Sequence, residues 1–95
     1  MSERDEYIDK FRARLDRWDA EIRKLKARVD EAEADARIEY QKQLTEMRSQ
    51  RDKAEEKLRE MRKAGDEAWG DLRTGFDKAV DSMSKAFEEA MSRFR

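Results

Sequence analysis

Ninety-five residues allow one small domain at most, and 49% of them are Asp, Glu, Lys or Arg at a formal net charge of −1. The absence of Cys and His excludes disulfides, thiolate chemistry, zinc fingers and haem ligation on residue type alone. Near-balanced charge argues against the general attraction to phosphate on which basic nucleic-acid-binding domains rely.

Leu, Ile, Val and Phe together number 14, a share below the roughly one-fifth that separates most folded chains from disordered ones. Composition alone would permit disorder. The small net charge and the regular spacing of the apolar residues oppose it, and together they describe long helices that take their core from a neighbouring helix. The first six residues are mostly charged and no apolar run reaches signal-peptide or membrane-spanning length, so a cytoplasmic location is the expectation.

From Ile8 the apolar positions run Ile8, Phe11, Leu15, Trp18, Ile22, Leu25, Val29, Ala32 and Ala36 in alternating steps of three and four. With Ile8 at heptad position a, the flanking g and e residues pair Arg14 with Asp19, Glu21 with Lys26, and Arg28 with Glu33. All three pairs are opposite in sign, which favours two parallel copies in register, although each exposed pair contributes only a few tenths of a kcal/mol. Phe11 and Trp18 are large for a two-stranded seam and leave room for a wider bundle or an additional helix.

Ala32 to Leu44 contains no Gly, Pro or Asn and is rich in strong helix formers, so the helix is expected to continue through it. Two successive steps of four, Ala36 to Tyr40 to Leu44, interrupt the heptad and predict local unwinding of the supercoil. The seam then resumes as Leu44, Met47, Arg51, Ala54, Leu58 and Met61, with a charged residue at Arg51 and little bulk elsewhere. A continuous helix over about 3–64 would be roughly 90 Å long at 1.5 Å per residue. An antiparallel hairpin turning near 36–42 is the alternative, and it needs a loop that the local sequence does not encode.

Ala64-Gly65-Asp66 is the best break in the chain. Gly65 can take the left-handed conformation that ends a helix, and Asp66 can cap the next. Gly70 and Gly75 follow, so the three glycines together resemble a hinge. Beyond them the chain repeats every eleven residues: Ala68, Ala79 and Ala90 align, as do Trp69, Val80 and Met91, and Leu72, Met83 and Phe94. Eleven residues make three turns with about 20° left over, which keeps one apolar stripe in line along a nearly straight helix. The stripe comprises Trp69, Leu72, Phe76, Val80, Met83, Phe87, Met91 and Phe94 on a helix over about 67–94. It can fold back along the Leu44–Met61 seam or extend the rod, and the sequence leaves both open.

These features predict an all-α fold: a long-helix coiled coil over 1–64 and, after a glycine hinge, an amphipathic helix within 65–95, oligomeric as a dimer or tetramer. Self-association falls to Ile8, Phe11, Leu15, Trp18, Ile22, Leu25, Val29, Leu44, Met47, Leu58 and Met61. The stripe of the last helix spans about 100° to 140° of the wheel, the width of a packed helix, whereas lipid-surface helices show a wider apolar face and Lys or Arg opposite it. Packing is the plainer reading of that stripe, and a membrane surface or client protein is the second.

No catalytic constellation accompanies these helices. Carboxylates at helical spacing, Glu31 with Asp35 and Glu56 with Glu60, read as solvated surface rather than as metal or acid–base sites, and the serines and threonines have no His to activate them. The glycines follow a helical pattern and form no phosphate cradle. Lys10 to Arg28 holds eight basic and three acidic side chains, and Asp30 to Glu39 five acidic and one basic. These adjoining blocks favour association between copies over contact with nucleic acid, because the basic residues interleave with the seam itself.

Three stretches, YIDKFRARLDRWDAEIRKL from Tyr7, ADARIEYQKQL from Ala34 and GDEAWGDLRTGFDKAV from Gly65, resemble small bacterial coiled-coil proteins grouped as a stress-response family. Gly70 departs from the charged residue expected after that Trp. The resemblance implies a bacterial, cytoplasmic, stress-linked role with no cofactor and no catalytic residues. The expected function is therefore that of a non-enzymatic, self-associating structural or scaffold protein. The alternative is a reversible membrane-surface or client-binding protein that uses the last helix.

Overall fold

A computed structural model of the chain describes residues 3–94, Asp66 by its backbone alone. The heptad and eleven-residue stripes become three α-helices: α1 (Glu3–Glu31), α2 (Ala34–Lys63) and α3 (Asp66–Ser92). They run up, down and up, with both connections tight. Arg4, in the first turn of α1, donates to the Met61 and Arg62 carbonyls at 3.0 and 2.8 Å, which places it at the C-terminal end of α2. The Met61 carbonyl also accepts from the Ala64 amide at the C-cap, and the Arg4 guanidinium adds a donor to both carbonyls and complements the helix dipole.

The continuous helix over 3–64 is not what forms. The chain breaks at Ala32–Glu33, where the Ala32 amide donates to the Val29 carbonyl and the Arg37 amide donates to the Glu33 carbonyl. Arg37 also reaches back from α2 to the Ala32 carbonyl at 3.0 Å. The reason lies in the seam. Ala32 and Ala36 offer almost no apolar surface to hold a straight rod, whereas doubling back lets the large residues of α1 face Leu44, Met47 and Leu58 of the same chain. The bundle accordingly extends 52 Å along its long axis rather than the roughly 90 Å of the expected rod. Glu31 and Asp35, read as one helical pair, lie on opposite sides of this turn.

The second connection falls where expected but by another device. Gly65 has φ −72° and ψ 166°, an extended residue at the N-cap of α3, with no side-chain cap. Asp66 is the first helical residue, not the cap, and the left-handed conformation is absent among the described residues. The chain folds back, and α3 lies along the Leu44–Met61 seam while its rings reach across to α1.

The residues assigned to self-association, Ile8 through Val29 on α1 and Leu44, Met47, Leu58 and Met61 on α2, are all buried in this one chain's core. Ala54 completes the α2 seam, Phe76, Val80, Met83, Phe87 and Ala90 come from α3, and Phe94 comes from the turn just past its end. Every buried residue among those described is apolar. The expected g-to-e pair of Arg14 with Asp19 gives way to an intramolecular one, in which Asp19 pairs with Arg51 of α2.

Candidate interaction surfaces

α2 packs closely on both α1 and α3, but the backbones of α1 and α3 stay apart. Aromatic rings fill the space between them. Phe11 meets Phe76 edge to face with centroids 4.6 Å apart, and Trp18 stacks on Phe87 at 4.5 Å. Tyr7 stands edge-on to both Trp69 and Phe76, at 5.5 and 5.9 Å. Near the other end Tyr40 of α2 stacks on Phe94 at 4.9 Å. Such pairs contribute roughly 0.5–1.5 kcal/mol beyond their area burial.

The first copy of the eleven-residue repeat is the least covered. Trp69 is half-buried and Leu72 is 37% exposed, while their counterparts Val80, Met83 and Phe94 are buried. Met91, aligned with Trp69, is half-buried as well. The eight-residue stripe thus belongs to the core except at Leu72, which faces a small groove beside Gly75, Ala79 and Met61 on the α2 side. Ile38, which the sequence pattern left unassigned, is 71% exposed near the start of α2.

A polar cluster closes the lower end of the α1–α3 boundary. Tyr7 donates its hydroxyl hydrogen to Asp77 of α3, and Arg73 pairs with Glu3 at 2.6 Å with its guanidinium 5.0 Å from the centre of the Tyr7 ring. Burial, then the hydrogen bond to Asp77, pushes the Tyr7 hydroxyl above the ordinary phenol range. A second cluster ties α1 to α2. Arg51 Nε and a terminal nitrogen reach the two Asp19 carboxylate oxygens at 2.7 and 3.1 Å, and Arg51 also pairs with Glu55, which Arg12 approaches to 3.6 Å. Burial works against the Arg51 charge, but the Asp19 and Glu55 carboxylates outweigh it and hold the guanidinium charged above its ordinary range. The heptad marked Arg51 as out of place; its partner Asp19 was invisible without the turn. Tyr7 and Arg73 sit outside both stripes, and the only sequence signal for Tyr7 is its position flanking Ile8.

Above the Tyr7 cluster the rings leave an open groove of about 530 Å³ between α1 and α3. Its floor is Tyr7, Phe11 and Val80; one wall carries Lys10, Arg14 and Arg17, the other Asp77 and Asp81. The two walls have opposite charge and stand at the same height on parallel helices. Among the described residues no group of His, Cys, Asp or Glu is arranged to hold a metal ion, and no helix is long and apolar enough to cross a membrane. The Ser84 hydroxyl, on α3, is buried without a hydrogen-bond partner. Compared with family models, with curated proteins and with solved structures, the chain matches none.

Proposed function

We propose that this chain is a non-enzymatic structural protein that acts through its helix surfaces by associating with further copies of itself, in a role linked to stress. One observation carries the reading: the buried set among the described residues is wholly apolar, so the charged side chains lie on the outside, and at the α1–α3 groove they are sorted by sign, cations on α1 and carboxylates on α3. A surface of that kind orients neighbours, and of the described titratable groups the two that burial does shift, Tyr7 and Arg51, are each already engaged by a carboxylate. Because the apolar seams close inside one chain, association would leave helicity unchanged. Sedimentation equilibrium and circular dichroism over a range of concentrations provide the test. The expected outcome is a mass that rises above the 11.4 kDa monomer at constant helix signal, and a monomer at every concentration rejects the reading.

A second reading has its own support. Of the three helices α3 is the most amphipathic and the least polar, and the two-residue connection at Ala64–Gly65 leaves it on a short tether. If α3 is released onto a lipid or client surface, its straight eleven-residue stripe suits a flat one. Flotation with phosphatidylcholine vesicles tests this, and protein that stays at the bottom of the gradient removes it.

A further inference from the structure

We propose that the α1–α3 groove is the contact face between two copies of this chain, related by a two-fold axis parallel to the helices. The proposal rests on the self-association reading and names its surface and geometry.

The argument is one of symmetry and sign. Of the three boundaries in the bundle, α1–α2 and α2–α3 are closed by near backbone packing, and α1–α3 is propped open by rings. On α1 the residues that face this opening are Lys10, Arg14 and Arg17; those that face α2 are Arg12 and Asp19, already paired with Glu55 and Arg51. On α3 the opening is edged by Asp77 and Asp81. Asp77 accepts the Tyr7 hydroxyl, and Asp81 is exposed. The face is therefore a positive ridge and a negative ridge, side by side, running in the same direction at the same height.

Two such faces can meet in two closed ways. A two-fold axis perpendicular to the helices lays α1 on α1 and α3 on α3, setting cation against cation. An axis parallel to the helices sets α1 of each copy on α3 of the other, with the helices parallel and Lys10, Arg14 and Arg17 level with the partner's acidic ridge. Only the second is complementary, and isologous contact repeats each favourable pair twice. Glu21 ends the cationic run on α1, so the complementary stretch is the groove itself. Tyr7 and Trp69, half-buried at its lower end, supply apolar area that a second copy would cover. Exposed charges set orientation more than strength, so the dimer is expected to be weak and to loosen as salt is added.

The test uses two full-length variants, Arg14→Glu and Asp81→Lys, each reversing the sign of one residue in a ridge. By sedimentation equilibrium each variant alone should dimerise at least tenfold more weakly than the unaltered chain, because in both halves of its symmetric contact the altered residue meets like charge and an attractive pair is lost. An equimolar mixture should recover to within a few-fold, since in the mixed dimer the two altered residues face each other as opposites in one half and the other half is unaltered. Circular dichroism establishes that each variant is still helical; if Arg14→Glu has lost its helices it is replaced by Arg17→Glu, on the same wall, and Asp81→Lys by Asp81→Arg. If the unaltered chain dimerises and the single reversals dimerise equally well, or the mixture fails to recover, this face is wrong while self-association stands. If the unaltered chain is monomeric throughout, both fall.

Discussion

The α1–α2 interface and the bed of α3 are built on opposite principles, although α2 belongs to both. The α1–α2 boundary interrupts its seam with a charged residue, Arg51, clamped by Asp19 and Glu55. Its apolar contribution from α2 is thin, with Ala54 and two flexible methionines among the buried residues. The α3 bed buries no charged side chain among those described and is filled with Phe76, Phe87 and Phe94 against Phe11, Trp18 and Tyr40. Bulk drives assembly without caring much about register, whereas a bidentate ion pair tolerates little sliding. The hairpin would then owe its alignment to α1–α2 and most of its stability to α3.

The largest effect should follow from emptying the α3 bed. Phe87 is 2% exposed and stacked on Trp18, so Phe87→Ala removes a fully buried ring in a thin bundle that cannot collapse far around the void. The expected loss is about 3–5 kcal/mol, a large fraction of the roughly 5–15 kcal/mol that domains of this kind possess. Urea denaturation followed by circular dichroism reads it directly. A loss below about 1 kcal/mol would mean that α3 contributes no more than the hairpin does, and the contrast would dissolve.

Arg51→Ala probes the other side. Its loss leaves Asp19 without its main partner, but the Asp19 side chain is 34% exposed and can turn to water, so the cost should be about 1–2 kcal/mol rather than that of a fully buried charge. Arg51→Met, which refills the seam with an unbranched apolar chain, should recover most of that cost. Stability that is unchanged in Arg51→Ala, measured by the same denaturation, would show that the ion cluster does not hold the hairpin.

The helices themselves were legible in the sequence because heptad spacing reports burial whatever the partner: each residue from Ile8 to Val29 placed in the seam is buried. What spacing cannot report is whether the partner belongs to the same chain. The turn at Ala32–Glu33 carries none of the residues that mark turns, since two residues of extended or bent backbone need no special φ, and no described residue has a positive one. The signal was present in another form. The change of step at Ala36, Tyr40 and Leu44 marks a new helix phase, and an all-alanine seam marks a place where a rod gains nothing by going on. The α1–α3 groove was illegible for a related reason, as its two walls are some 65 residues apart in sequence and meet only once both turns are made.

Gly70 and Gly75 sharpen the comparison by small gains. Both are helical residues of α3 with open space where a Cβ would be, so neither packing nor backbone conformation requires glycine there. Gly70→Ala and Gly75→Ala should each stabilise the bundle by about 0.5–1 kcal/mol, chiefly by restricting the unfolded chain. A thermal melt is sufficient to see it. If either substitution destabilises, that part of α3 is not the regular helix described, and the α3 bed is shorter than its stripe.

The smallest effect distinguishes the polar tie of α3 from its apolar bed. Tyr7 is held neutral by burial and by its bond to Asp77, so its folded pKa lies above the unfolded value of about 10. For an acid whose folded pKa is raised, the contribution to stability is complete below the unfolded pKa and is lost as pH rises through the folded one, because the unfolded chain releases the proton first. Above pH ~10, therefore, the stability of the unaltered chain should fall more steeply than that of Tyr7→Phe, which has no proton to lose. Between neutral pH and pH ~9 the two should run parallel, Tyr7→Phe lying slightly lower for want of the Asp77 bond. Denaturation midpoints across that range, with phenolate absorbance recorded alongside, check both halves. Parallel curves through the alkaline region would show that the Tyr7–Asp77 bond is not maintained in solution, leaving α3 held on this side by its rings and by Arg73 alone.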